Sequence, residues 1–187
     1  ELQRFVIEEM GITDGIGILD ETGFIKKGEY SAGVARQYTG TAGKIENCQI
    51  GTFLAYASAD GSTLIDRRLY LPEAWTSDEA RRDRAQIPDE VVFQTKPEHG
   101  REMLSEAWER GVPMRWVTGD EVYGNAPELR NAIDTAGKEY VLAVASNTRI
   151  RLVDEDPKKP ANTAKTGSHA IKTVADVAQT VSKWERL

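Results

Sequence analysis

The sequence is poor in the residues that build disulfides and soft-metal sites. It has one cysteine, Cys48, and two histidines, so an internal disulfide and a cysteine-based zinc cluster are both excluded. No apolar run approaches the roughly 20 residues that a bilayer crossing needs, and no basic-then-apolar signal peptide opens the chain. We therefore expect a cytoplasmic protein that has no membrane partner.

Basic residues are also in the minority. The chain has 24 Lys and Arg against 30 Asp and Glu, and its net charge of -6 alone argues against an obligate nucleic-acid binder. Segment 24–44 departs from this average, because it has four basic residues and only one acidic residue, Glu29. The four are Lys26, Lys27, Arg36 and Lys44, which could follow a phosphate backbone. A solvated loop with scattered cations explains any one of them equally well.

Apolar patterning predicts alternating strands and helices. The 187 residues suit one domain with an appendage, and the chain starts and stops in helical patterns, so we expect a fragment of a longer protein. The predicted elements are helix 1–11, strand 16–20, loop 21–47 with room for a short hairpin, strands 48–58 and 63–71 joined at Asp60-Gly61, a short helix capped by Thr76 or Ser77, helix 98–111, strand 114–118, helix 125–137, strand 140–145 and helix 174–187. This order predicts a mixed α/β sheet, a three-stranded meander followed by parallel strands, flanked by helices.

Two acidic dipeptides carry the chemistry. Asp20-Glu21 follows the first predicted strand, and Asp120-Glu121 follows the fourth. If those strands are parallel neighbours, both aspartates lie where open α/β sheets place their ligands. Carboxylate oxygens suit a hard cation such as Mg²⁺. We therefore predict a metal site at Asp20 and Asp120, provided that their carboxylates lie within about 8 Å of each other.

The residues next to the two aspartates are not expected to bind the metal directly. Adjacent strand residues point to opposite sides, so Glu21 and Glu121 are expected beside the site or in solvent. Tyr123 either contacts a nucleotide or packs in the core. Either aspartate alone is more typical of a turn or helix cap. Such a metal site usually needs a third carboxylate, and no candidate for it lies in a motif that indicates metal binding. The candidates are Asp154, Glu155, Asp176 and Glu185.

Four segments carry a resemblance to a known family. They are LDETGFIKKG, GVARQYTGTAGKIENCQIGTFLAYAS, LIDRRLYLPEAW and WVTGDEVYG. Together they resemble the DDE transposases of bacterial insertion sequences, in particular the insertion sequence 701 family. The resemblance covers roughly residues 1–150.

The resemblance implies a ribonuclease H-like fold and cut-and-paste DNA transposition. It assigns Asp20 and Asp120 as the first two catalytic acids, which hold Mg²⁺ or Mn²⁺. The third, a glutamate on a later helix, has no matching motif before Leu187. Residues 1–151 would then be a partial catalytic core that is incomplete at its C-terminal end, and 152–187 the start of an insertion or a linker segment with a helix. The implied partners are double-stranded DNA and further copies of the protein, on the bacterial nucleoid.

Two alternatives remain open at this point. Because the third acid is missing, the chain alone is expected to bind metal poorly and to cut DNA little, so its status as an enzyme is uncertain. The first alternative to a catalytic-domain fragment is a truncated remnant that binds DNA or a partner and catalyses nothing. A weaker option is an unrelated Mg²⁺-dependent phosphohydrolase that cleaves small phosphoesters.

Overall fold

The computed structural model describes residues 1–10, 14–150 and 172–181. The chain divides into two units, Glu1–Ala143 and Val144–Leu187. The predicted domain boundary at residue 151 stays a prediction. Within the described ranges, no helix has the length and apolar character that crossing a membrane requires.

The first unit is built on one six-stranded sheet. Its strands are β1 (Gly15–Ile25), β2 (Ala35–Thr39), β3 (Lys44–Ser58), β4 (Gly61–Tyr70), β5 (Met114–Gly119) and β6 (Glu139–Leu142). The order is β2-β3-β1-β5-β6, and β4 also pairs with β3. Strands β1, β2 and β4 run antiparallel to β3, whereas β1, β5 and β6 run parallel to one another. This topology confirms the predicted mixed, ribonuclease H-like sheet.

The predicted loop 21–47 is partly wrong, because it contains strand segments beyond the short hairpin that the sequence allowed. Strand β1 continues through Ile25, because its second half pairs residue by residue with β3, down to Ile25 opposite Cys48. The same stretch contains all of β2 and the beginning of β3, which pair from Ala35–Cys48 to Thr39–Lys44. The glycines and polar residues of this segment give no apolar periodicity from which strands could be predicted. Cross-strand pairing stabilises these strands instead. Asp20 therefore lies inside β1 and not at its end.

Side-chain caps mark the starts of the helices that begin at Glu79 and Lys96. The helices of the first unit are α1 (Leu2–Phe5) with a π-helical turn at Val6–Met10, α2 (Glu73–Thr76), α3 (Glu79–Ala85), α4 (Lys96–Glu109), α5 (Glu121–Gly124) and α6 (Pro127–Thr135). Asp78 caps α3, so the predicted cap at Thr76 or Ser77 is wrong. Helix α4 begins at a capping box between Thr95 and Glu98, two residues before the predicted start.

The main core lies between the sheet and helices α4 and α6. It includes Leu19 of β1, Leu54 of β3, Leu104 of α4 and Ile133 of α6, all at most 1% exposed. A smaller cluster of Val34, Leu71 and Trp75 lies under α2 and α3. The predicted strand 140–145 is not buried on both faces, since β6 ends at Leu142 and Val141 is 67% exposed.

The second unit contains a short strand pair and one helix among its described residues. Strands β7 (Arg149–Ile150) and β8 (Lys172–Thr173) pair antiparallel, and α7 (Val174–Ala178) follows with a Thr173–Asp176 capping box. Asp176, a candidate third acid, therefore has its carboxylate bonded to Thr173. The predicted excursion after Arg151 and the candidates Asp154, Glu155 and Glu185 lie outside the described residues.

His99 links the sheet to α4. Its Nδ1 lies 3.0 Å from the Thr52 hydroxyl, and the side chain is buried. Burial, with a smaller contribution from Arg68, lowers the pKa of His99 against the opposing effect of Glu102 and Glu98. Because the folded state binds the proton less tightly than the unfolded state, stability is full above the unfolded pKa of about 6.5 and is lost as pH falls below it.

We expect the free energy of unfolding to fall by at most about 2 kcal/mol between pH 6.5 and 5. Urea denaturation at several pH values measures this change. The carboxylates with lowered pKa, such as Glu98, titrate below this window because their ordinary pKa is 4.5. A His99→Gln variant should lose the dependence; an unchanged pH profile in that variant would show that another group is responsible.

Candidate metal centre

Parallel pairing of β1 with β5 brings the two acidic dipeptides together. Leu19 lies opposite Gly119, the last residue of β5. Asp20 directly follows Leu19, and Asp120 directly follows Gly119, so the two aspartates lie side by side. The expected neighbouring of these two strands is confirmed.

The edge of β1 changes character at this point. On one side, Asp20 and Glu21 pair with Phe53 and Thr52 of β3. On the other side, the pairing with β5 has ended at Gly119. Side chains from both faces of β1 can therefore bend toward the same unpaired edge.

Three carboxylates meet there. One oxygen each from Asp20, Glu21 and Asp120 lies within 4.8 Å of the others. Asp20 is exposed, and Glu21 and Asp120 are half-buried. The separation of the two aspartates is well inside the limit of about 8 Å set from the sequence.

Each aspartate also has a local structural role. Asp20 Oδ1 accepts a hydrogen bond of 2.8 Å from the Glu21 backbone N–H. Asp120 Oδ1 accepts one of 3.0 Å from the Val122 N–H, which makes Asp120 the N-cap of α5. The cap explanation and the site explanation are therefore compatible, because one carboxylate oxygen serves the backbone and the other remains available.

Glu21 is held from the opposite side by α4. Its Oε1 lies 2.5 Å from Lys96 Nζ, and both side chains are about one-fifth exposed, at 18% and 20%. Its Oε2 is buried and has no hydrogen-bond partner. A buried charged oxygen without a partner is costly, so this atom is available to a bound cation or a donor.

The Tyr123 hydroxyl, near the same carboxylates, is also buried without a hydrogen-bond partner. Tyr123 is fully buried, and its hydroxyl faces Glu21 without closing a hydrogen bond of normal geometry. Burial is the main cause that raises the pKa of Tyr123, and the negative charges of Glu21, Asp120 and Asp20 raise it further. The three clustered carboxylates offer only oxygen atoms as metal ligands. Oxygen ligands suit a hard divalent cation such as Mg²⁺ or Mn²⁺.

The remaining predicted residues lie outside this group. Glu121 is exposed in the first turn of α5 and is not one of the three clustered carboxylates. Lys26 and Lys27 follow the end of β1, and no ion pair joins either of them to another described residue. Lys44 lies 2.9 Å from Glu46, and the charges of Lys44 and Arg36 both lower the pKa of that glutamate.

Lys96 is the residue that sequence reasoning missed. The Thr95-Lys96-Pro97-Glu98 pattern is a capping-box signal that could have placed Lys96 in the first turn of α4. Its partner Glu21 is 75 positions away, and no local signal connects the two.

Comparison with known proteins places this chain in a family. The profile of the DDE superfamily endonucleases matches residues 1–187. The chain belongs to the DDE superfamily endonuclease family. The fold and the clustered acids agree with that class.

A curated relative narrows the similarity to transposases. The chain is 29% identical over 138 residues to the "Probable transposase for insertion sequence element IS701" of Microchaete diplosiphon. The match covers 73% of this chain and 33% of the relative, so the chain spans about a third of that protein's length.

A solved structure titled "Structural Study of the Aquifex aeolicus PPX-GPPA enzyme" also matches, at 11% identity over 69% of this chain and 36% of that chain. Its TM-score of 0.23 is too low to support any inference about this chain.

Proposed function

We propose that this chain is part of the catalytic domain of a DNA transposase, and that Asp20 and Asp120 hold a catalytic Mg²⁺ or Mn²⁺. The observation that carries the proposal is the proximity of the two carboxylates beside neighbouring parallel strands, in a chain of the DDE superfamily endonuclease family. The whole protein would hydrolyse the phosphodiester at the transposon ends. The freed 3′ hydroxyl would then attack target DNA.

The residues of this chain contribute positioning and charge. Asp20 and Asp120 each accept a backbone N–H with one carboxylate oxygen, and these bonds would orient both side chains for holding the ion. When bound, the divalent ion supplies Lewis-acid stabilisation of charge on a phosphodiester oxygen. A third acid from a later helix would complete the site. The proposed setting is the bacterial nucleoid, with the whole protein acting as a homo-oligomer.

Nicking of a supercoiled plasmid in the presence of Mg²⁺ or Mn²⁺ tests the proposal. The assay is run with this chain and, if the coding sequence continues past Leu187, with the longer product. Metal-dependent nicking that Asp20→Asn abolishes supports a transposase site. DNA binding without nicking in both proteins would instead favour the non-catalytic remnant, and hydrolysis of p-nitrophenyl phosphate without nicking would favour a small-molecule phosphohydrolase.

Lys26 and Lys27 are proposed to contact the DNA backbone. They lie about 20 Å along β1 from Asp20, at about 3.3 Å per residue, and would therefore contact phosphates distant from the cleaved one. Such contacts position a duplex without reading its sequence. Arg36 and Lys44 are proposed to assist, with a weaker contribution because both lie near Glu46.

Replacing Lys26 and Lys27 together with Ala should make DNA binding less salt-dependent. Each phosphate contact contributes about -0.9 to the slope of log K against log salt, so the slope should become shallower by about 2. Fluorescence anisotropy at several salt concentrations measures it. Lys44→Ala should change the slope by less than about 0.5, because Glu46 already neutralises Lys44. Equal effects of the two variants would refute this ranking.

A further inference from the structure

Glu21 occupies an unusual position relative to the proposed metal site. It belongs to the cluster of three carboxylates within 4.8 Å, yet it is distinct from the third catalytic glutamate that the family resemblance implies, which has no matching motif before Leu187. Divalent ions with ligand distances of about 2.1 Å bring neighbouring oxygens to about 3 Å from one another. Side-chain rotation can supply a closure of that size at an edge where β1 is unpaired.

Two features of the fold hold Glu21 in that position. Lys96, at the start of α4, bonds its Oε1 at 2.5 Å and so fixes the carboxylate from the side of the helix. Tyr123 of α5 is fully buried and its hydroxyl has no hydrogen-bond partner of normal geometry; the same carboxylate lies close enough to help raise its pKa. A carboxylate that binds metal is normally itself hydrogen-bonded by its surroundings, and Tyr123 is a donor placed to do this.

We propose that Glu21 is a third protein ligand of the metal bound by Asp20 and Asp120, with Lys96 holding its carboxylate in place. This inference rests on the proposed function, since it concerns the same site. It means that the described part of this chain provides three oxygen ligands without the later glutamate. The chain would then bind a divalent ion even where it does not cleave DNA.

The competing explanation is that Glu21 only forms an ion pair with Lys96. A largely buried ion pair is weak evidence of any single role, and removing Glu21 would leave Lys96 as an uncompensated positive charge that repels the ion. The test must therefore separate loss of a ligand from loss of charge balance.

Calorimetric titration with Mn²⁺ alone provides this separation. Glu21→Gln should weaken Mn²⁺ binding about tenfold or more. The double variant Glu21→Gln with Lys96→Met removes both charges of the pair, and should still bind at least about fivefold more weakly than the unmodified chain. If the double variant regains the original affinity, Glu21 acts only through its charge and the inference is wrong.

Control variants keep the outcomes distinct. Glu106 forms a similar ion pair from α4, 2.6 Å from Arg68, and Glu106→Gln should leave Mn²⁺ affinity within about twofold. Circular dichroism checks the fold of each variant, and the double variant remains informative if the single one unfolds. If Asp20→Asn abolishes binding and Glu21→Gln has no effect, this inference alone fails. If the unmodified chain shows no saturable binding, this inference is wrong, because Glu21 then does not complete a metal site in this chain, whereas the nicking assay with the longer product still tests the proposed function.

Discussion

Asp120→Asn is expected to weaken Mn²⁺ binding by at least about 100-fold, more than the loss of a residue that only supports a ligand. The substitution removes the charge that the proposed site needs. It keeps the helix cap, because asparagine caps a helix as well as aspartate does and its Oδ1 can still accept from the Val122 N–H. Calorimetry with Mn²⁺ measures the affinity, and urea denaturation should show stability within about 0.5 kcal/mol of the original.

Two further variants separate loss of the Asp120 charge from loss of the helix cap and from general effects of removing a carboxylate. Asp120→Ala removes both the charge and the cap, so it should lose metal binding and also about 1 kcal/mol of stability. Asp134→Asn, an exposed carboxylate of α6 outside the cluster, should leave the affinity unchanged. If Asp120→Asn kept its Mn²⁺ affinity, the ion would bind at another site.

Gly124→Ala is expected to destabilise the first unit by about 3 kcal/mol, at the upper end of the cost of overpacking. Gly124 ends α5, and a Cβ there would lie 1.7 Å from the Ala143 backbone oxygen and 3.2 Å from Leu142 Cβ. A backbone oxygen cannot rotate away, so α5 must shift. Because Asp120 caps this short helix, Mn²⁺ affinity should fall together with stability.

Gly28→Ala is the matched control. A Cβ at Gly28 meets nothing within 4 Å, so the free energy of unfolding should change by less than about 0.5 kcal/mol. Equal stabilities of the two variants in urea denaturation would mean that the close approach of α5 to the end of β6 imposes no constraint.

Elements with strong local signals were predictable from the sequence. The hairpin at Asp60-Gly61 has strand ends that pair at Ser58 and Gly61, as a turn signal between two β-rich runs indicates. Strand β5 was likewise predicted within one residue. Strand β2 and the second half of β1 were not, because their stability comes from pairing with β3 and not from their own composition.

Part of the candidate site could also be predicted from the sequence. Asp20 and Asp120 follow apolar strands, and parallel strands align their ends, so their meeting could be inferred. The contribution of α4 could not be inferred, since Lys96 reaches Glu21 only after the helix has packed on the sheet. A helix cap at Asp120 was one of the roles that the sequence allowed, and the structure shows Asp120 as the N-cap of α5, a helix of four residues.

Anomalous diffraction from crystals of this chain soaked in Mn²⁺ tests the central claim most directly. We predict one anomalous peak within about 2.0–2.4 Å of carboxylate oxygens from both Asp20 and Asp120, the range typical of hard divalent ions on oxygen. Absence of a peak at these residues at saturating Mn²⁺, or a peak bound only by other carboxylates, would contradict the assignment of this edge of the sheet as the metal centre.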